Sequence, residues 1–294
     1  MNRKSFIKTL GFTSLPFFMK PIHHLEHFSS QFSTTERMPL LFLGHGSPMN
    51  AIEENQFVKG FRDIAKTIPK PNAILCISAH WYTRGTKVTA MEMPKTIYDF
   101  GGFPEELFQV KYPAHGSPEL AKEVKELLVP TSIELDESWG LDHGAWSVIK
   151  HLYPNADIPV IQMSIDYTMT GTNHFDLAKK LMGLREKGIL IIGSGNIIHN
   201  LGLIDFRHIN TDNYGYDWAI EAHSKINDYI IQENFNPLLQ YETLGKAVQL
   251  AIPTPDHYLP LLYILGLKKK EDEITLFNDK LLAGSLSMTS LRIG

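Results

Sequence analysis

Continuous apolar runs, each stopping at glycine or running into histidine, set the pattern of this chain. Leu40–Leu43 ends at Gly44-His45-Gly46, and Ala73-Ile-Leu-Cys-Ile-Ser-Ala79 leads into His80-Trp81. Gly188-Ile-Leu-Ile-Ile-Gly193 is followed by Ser194-Gly195-Asn196 and then His199. Short apolar runs bounded by turn residues predict buried strands, and Ile158–Ser164 reads as a further strand. Lys87–Met93, Thr131–Leu135, Glu273–Phe277 and Ser285–Leu291 read as further strands.

Between the runs the period changes. Phe57, Phe61, Ile64, Ala65 and Ile68 share one face of a helix over residues 55–68, which Pro69 and Pro71 end. Ser117-Pro118-Glu119 has the cap-then-proline signature of a helix reaching Leu128. Helices are also expected up to Leu152, over Asn173–Arg185 and Tyr214–Ile231, and as a pair within Pro237–Gln249. Thr254 as cap with Pro255 at the first helical position predicts a last helix, which Pro260 either kinks or shifts to start at Asp256. Residues 94–113 have no period but many aromatics, among them Tyr98, Phe100, Phe103, Phe108 and Tyr112. Loops of that length in compact domains often cover an active site.

Alternating strands and helices predict an α/β fold, a single domain with a central mixed sheet flanked by helices on both faces. Open α/β sheets carry their chemistry outside the carboxyl ends of the strands, where His45, His80 and His199 all fall. The glycines around His45 let the backbone turn sharply and leave the imidazole uncrowded.

Composition narrows the class. The 294 residues are 43% hydrophobic and 20% charged, those of an ordinary globular protein with material for one large core. A formal net charge of -4 gives no electrostatic reason to expect nucleic acid as a partner. Cys76, the single cysteine, excludes a disulfide within the chain and leaves nitrogen and oxygen ligands for any metal. Residues 1–37 read as an N-terminal extension ahead of a single domain over 38–294. The basic stretch Met1–Lys8 followed by apolar Thr9–Met19 resembles a twin-arginine export signal with Lys4 in place of the second arginine, so the expected location is cytoplasmic or periplasmic. No stretch approaches the length of a membrane span.

A lone histidine near a strand end is more often structural than functional. Five here share unusual surroundings: His45 between glycines, His80 before Trp81, His143 in Asp142-His-Gly144, His199 after Gly-Ser-Gly, and His257 after two prolines. Neutral imidazole suits both zinc and ferrous iron. Gly193-Ser-Gly-Asn196 is not a Gly-x-Ser-x-Gly hydrolase elbow, Gly44-His-Gly-Ser47 lacks the lysine and spacing of a P-loop, and His-Glu-x-x-His is absent.

Taken together, Leu43-Gly-His-Gly-Ser-Pro-Met-Asn50, Ser78-Ala-His-Trp81, Leu141-Asp-His-Gly144, Gly193-Ser-Gly-Asn196 with His199-Asn200, and Pro253-Thr-Pro-Asp-His-Tyr-Leu-Pro-Leu-Leu-Tyr263 resemble the class III extradiol ring-cleavage dioxygenases, in the 4,5-DOPA dioxygenase branch. The resemblance runs from Leu40 to the C-terminus. It implies one divalent metal ion per chain held by His45, His80 and His257, with His199 as acid/base or fourth ligand and His143 as a further catalytic histidine. It implies Fe(II) for catalysis or Zn(II) as the bound ion. A catechol such as L-DOPA and O2 are the implied partners, with 4,5-cleavage to a muconate semialdehyde. Trp81, Tyr98 and Phe103 are candidates to stack on the ring, and Arg84 or Lys111 to meet a carboxylate. The protocatechuate relatives use a glutamate where this chain has His257, with Asp256 beside it. Two rivals use the same histidines: a zinc-dependent hydrolase, which needs no oxygen, and a metal-binding protein without turnover.

Overall fold

The structure, a computed structural model, describes residues 36–294. The expected export signal lies outside the described residues. The apolar runs form the middle of an eight-stranded mixed sheet. Its strands are β1 (Leu40–Gly44), β2 (Ala73–Thr83), β3 (Thr86–Thr89), β4 (Ile133–Asp136), β5 (Val160–Asp166), β6 (Ile189–Gly195), β7 (Ile274–Phe277) and β10 (Ser290–Ile293), in the order β4-β3-β5-β2-β6-β1-β10-β7. The four central strands, β5, β2, β6 and β1, are mutually parallel, with Leu41 opposite Ile192 and Leu75 opposite Ile191. Every residue of β1, β5 and β6 is buried, as expected of parallel strands covered on both faces. β10 and β7 extend the sheet antiparallel beyond β1, while β3 pairs antiparallel to β5 and parallel to β4.

Two adjacent residues of β6 show what covers the sheet. Neighbouring side chains on a strand point to opposite faces. Ser194 donates its hydroxyl hydrogen to the Gly144 carbonyl, so the helix His143–Leu152 lies on that face. A side chain at Gly193 would meet the Pro260 carbonyl oxygen at 2.6 Å, so the helix Leu259–Gly266 lies on the other. The first face buries Leu41, Leu43, Ile74, Cys76, Leu190 and Ile192 against Trp146, Ile149, Phe57 and Phe61. Leu259–Gly266 is apolar all round and buried throughout, the pattern of a helix inside a protein.

Helix starts follow their caps. The Asn55 side chain accepts from the Phe57 and Val58 amides at 3.0 Å, Ser117 from Leu120 at 3.2 Å, and Asp142 from Ala145 at 3.1 Å. At the start of the described chain Arg37 reaches Asp272 at 2.8 Å, and the same carboxylate pairs with the wholly buried Arg185 at 2.6 Å.

Four expectations are corrected. β2 does not stop before His80 but continues to Thr83, with a register irregularity between Ile77 and Tyr82 against β5. The helix expected over Asn173–Arg185 is Gly171–Lys179 followed by a separate 3-10 turn, Met182–Lys187. The last helix starts at Leu259 rather than at Pro255 or Asp256. Pro260 falls in its first turn, where a missing N–H costs nothing, and residues 255–258 form a turn closed by Tyr258 N–H on the Pro255 carbonyl at 2.9 Å. The strand expected over Ser285–Leu291 is broken into β9 (Leu286–Ser287), which pairs with β8 (Leu281–Leu282), and β10. The chain between β9 and β10 passes under Gly44, where a Cβ would sit 2.7 Å from the Met288 backbone, so only glycine fits there. No helix among the described residues is long and apolar enough to cross a membrane.

Candidate metal centre

The carboxyl ends of the parallel strands deliver the imidazoles. His45 follows β1 directly, held by its N–H on the Gly195 carbonyl at 3.1 Å, while Asn50 donates to the His45 carbonyl at 2.8 Å. His80 projects from within β2. His257 occupies the turn before the last helix, where its carbonyl accepts from the Asn196 amide at 2.9 Å. That turn presses against β6: a side chain at Gly195 would meet the His257 carbonyl oxygen at 2.1 Å. The small residues of the Gly-Ser-Gly stretch thus make room for the turn.

His45, His80 and His257 each offer a nitrogen within 4.8 Å of the other two. Their rings lie 5.0–5.3 Å apart centre to centre. Each Nδ1 faces a partner of its own: Ser194 Oγ for His45 at 3.0 Å, Asp99 Oδ2 for His80 at 3.1 Å, and the Asp256 carboxylate for His257 in a short contact. Such partners fix tautomer and ring orientation, leaving each Nε2 for a cation. The His45 and His80 Nε2 atoms are 3.2 Å apart. A tetrahedral ion about 2.0–2.1 Å from each of its nitrogens separates them by about 3.3 Å. The three imidazoles therefore fit one divalent cation.

Burial and the neighbouring imidazoles hold the His45 pKa well below its ordinary value, and burial lowers that of His257 against the opposing pull of Asp256. Both are neutral at pH 7, the form that binds metal. Burial acts on His80 in the same sense, but Asp99, Asp142 and Asp256 together outweigh it and raise its pKa. The Asp99 and Asp256 carboxyls are pushed far below the usual range by the histidines they face, despite burial acting the other way.

His199 lies flat on the His257 ring, with centroids 3.5 Å apart and planes 8° from parallel, anchored by its N–H on the Ala251 carbonyl at 2.9 Å. It lies outside the three-histidine group. Burial, followed by repulsion from His257, lowers its pKa to about 3. His143 opens the helix on the first face with its ring 3.9 Å from that of His80, and its Nδ1 lies 3.0 Å from Asp99 Oδ1.

The aromatic candidates divide. Trp81 is buried at 3% exposure and stacked flat on Trp139, which occupies it as a wall. Tyr98 donates to the Val110 carbonyl at 2.7 Å and packs on Trp146 and Phe108 within the aromatic loop. Phe103 reaches Phe100 at 5.5 Å, and it is Phe100 that stands edge-on to His143 at 5.4 Å. Sequence reasoning also passed over Asp99, the carboxylate shared by His80 and His143. No motif marks it, because only the fold brings residues 80, 99 and 143 together.

Residues 39–281 match the family model of the catalytic LigB subunit of aromatic ring-opening dioxygenase. The chain belongs to this family, and it is an extradiol ring-cleaving dioxygenase. It is 45% identical over 270 residues to the 4,5-DOPA dioxygenase extradiol of Escherichia coli (strain K12), covering 89% of this chain and 96% of that protein. It is 36% identical over 258 residues to the 4,5-DOPA dioxygenase extradiol of Beta vulgaris, covering 85% of this chain and 94% of that one. A crystal structure of an uncharacterized protein from Escherichia coli K12 superposes with a TM-score of 0.74 at 42% identity, over 88% of this chain and 100% of that chain.

Proposed function

We propose that the chain opens L-DOPA or a closely similar catechol at the 4,5 bond with dioxygen, using ferrous iron held by His45, His80 and His257. One observation carries this: three imidazoles with every Nδ1 engaged and every Nε2 free to converge, in a chain so similar to proteins named for that reaction. Iron, when bound, supplies a redox route between catechol and dioxygen, which zinc, having no redox chemistry, lacks.

The chain's residues do the rest. His199 enters neutral, so it accepts a proton from a catechol hydroxyl. A catecholate beside it, adding to the pull Asp256 already exerts, raises its pKa from about 3 and lets it hold that proton and return it. His143, its Nδ1 turned to Asp99, keeps Nε2 for a substrate oxygen. Phe100, rather than Trp81, Tyr98 or Phe103, is the ring best set to meet the substrate, with the others packed behind it to exclude water.

The test is oxygen uptake by metal-stripped protein given Fe(II) or Zn(II), with L-DOPA and simple catechols. Iron-dependent uptake with a yellow semialdehyde supports the reading. Ester or amide hydrolysis with zinc, and no uptake with either metal, would replace it with the hydrolase.

A further inference from the structure

His80 and His143 lie closer together than any other two imidazoles of the centre save the His199–His257 stack, and both turn an Nδ1 toward one carboxylate. Asp99 is largely shielded, at 17% side-chain exposure. Its Oδ1 accepts a full hydrogen bond from the His143 backbone N–H at 2.9 Å and lies 3.0 Å from His143 Nδ1, while Oδ2 lies 3.1 Å from His80 Nδ1. Both Nδ1 atoms thus lie within 3.1 Å of the one carboxylate, which faces the two rings at once. Asp99 reaches this place from the aromatic loop. Tyr98 on one side is tied down through Val110, and Phe100 on the other packs edge-on to His143.

The geometry points to Asp99 as the positioning residue of the centre, one carboxylate that aims His80 at the metal and His143 at the substrate and so locks the aromatic loop to both. This rests on the proposed metal site. A carboxylate behind a metal-bound imidazole raises its basicity and fixes its orientation. Here the same oxygen pair also faces a second imidazole, His143, which lies outside the three-histidine group. Metal affinity and substrate affinity therefore depend on one side chain whose own atoms need touch neither ligand. Loop packing alone does not provide this link, because the aromatic contacts reach His143 but none joins the loop to His80.

The test is Asp99→Asn, which keeps the acceptor for the His143 N–H and removes the charge, beside Phe100→Leu, which loosens the loop but keeps the carboxylate. Cobalt(II) and iron(II) affinities are measured by chelator competition, with the visible spectrum of the cobalt form as a reading of ligand geometry independent of turnover. Asp99→Asn is expected to bind metal about 10–100-fold more weakly, with an altered cobalt spectrum and a raised KM for catechol. Phe100→Leu is expected to raise KM while keeping the cobalt spectrum and the metal affinity of the unsubstituted chain. Unchanged metal affinity and spectrum in a folded Asp99→Asn chain would overturn the positioning role and leave the metal site standing. If that variant does not fold, Phe100→Leu decides: a loss of metal affinity there would assign the effect to loop packing. Absence of cobalt and iron binding by the unsubstituted chain would overturn the metal site itself, and the positioning role with it.

Discussion

His45 and His174 are both almost wholly buried, and burial lowers the pKa of each. They differ in what the second nitrogen meets. His45 spends Nδ1 on Ser194 and turns Nε2 to within 3.2 Å of the His80 Nε2, with the rings of His80, His143 and His257 5.0–5.7 Å away. His174 spends Nδ1 on the Tyr263 hydroxyl at 2.8 Å, between the helices Gly171–Lys179 and Leu259–Gly266, and among the described residues its ring packs on Tyr263 and on no imidazole. A buried histidine with a perturbed pKa is therefore not in itself a sign of chemistry. Convergence of free nitrogens is, because only there can one cation recover what several desolvated imidazoles have lost.

The same substitution at both positions tests this most sharply. His45→Ala should lose metal by more than the 10–100-fold typical of an outer-shell change, and turnover with it. Metal content by atomic absorption and oxygen uptake read the two effects. His174→Ala should leave both as they were; metal loss there would break the comparison. The next effect in size is that of His199→Ala. Because His199 stacks on a proposed ligand without joining the ligand group, metal content should hold while turnover falls about 10²–10⁴-fold. A parallel loss of metal would instead make it part of the metal-binding set.

The difference between the two histidines was partly legible in the sequence. His45 announced itself because a five-residue apolar strand ends at glycines, a local signal with a local cause. The same holds for the first parts of β2 and β6, whose burial on both faces goes with apolar runs, Ala73–Ile77 and Ile189–Ile192. Asp99 was not legible, since its role depends on bringing residues 80, 99 and 143 together across a loop that carries no period. The continuation of β2 through His80 was hidden for a similar reason: the chain stays extended across an irregularity of register that only the pairing with β5 defines. Pro260 misled in the opposite way. Its neighbours supported two helix starts, and the tight fit of the His257 turn over Gly195 selects a third.

The smallest expected effect lies at His174 and concerns stability alone. Removing the imidazole leaves the buried Tyr263 hydroxyl without its partner, which should cost about 1–3 kcal/mol in urea unfolding at pH 7. The sign of the pH dependence follows from the depressed pKa, about 4 in the folded chain, where burial outweighs the pull of Asp166. The unfolded histidine titrates near its ordinary value of about 6.5, so as pH falls the unfolded state takes up the proton first. The contribution of His174 is thus fully present above about 6.5, declines between about 6.5 and 4, and levels off below. Between pH 7 and pH 5 this one group should remove about 2 kcal/mol from the folded chain. His174→Ala should lose that part of the decline while keeping whatever the histidines of the metal centre contribute. Equal declines in the two chains would show that His174 is not the neutral, desolvated group its surroundings make it, and that burial alone does not separate it from His45.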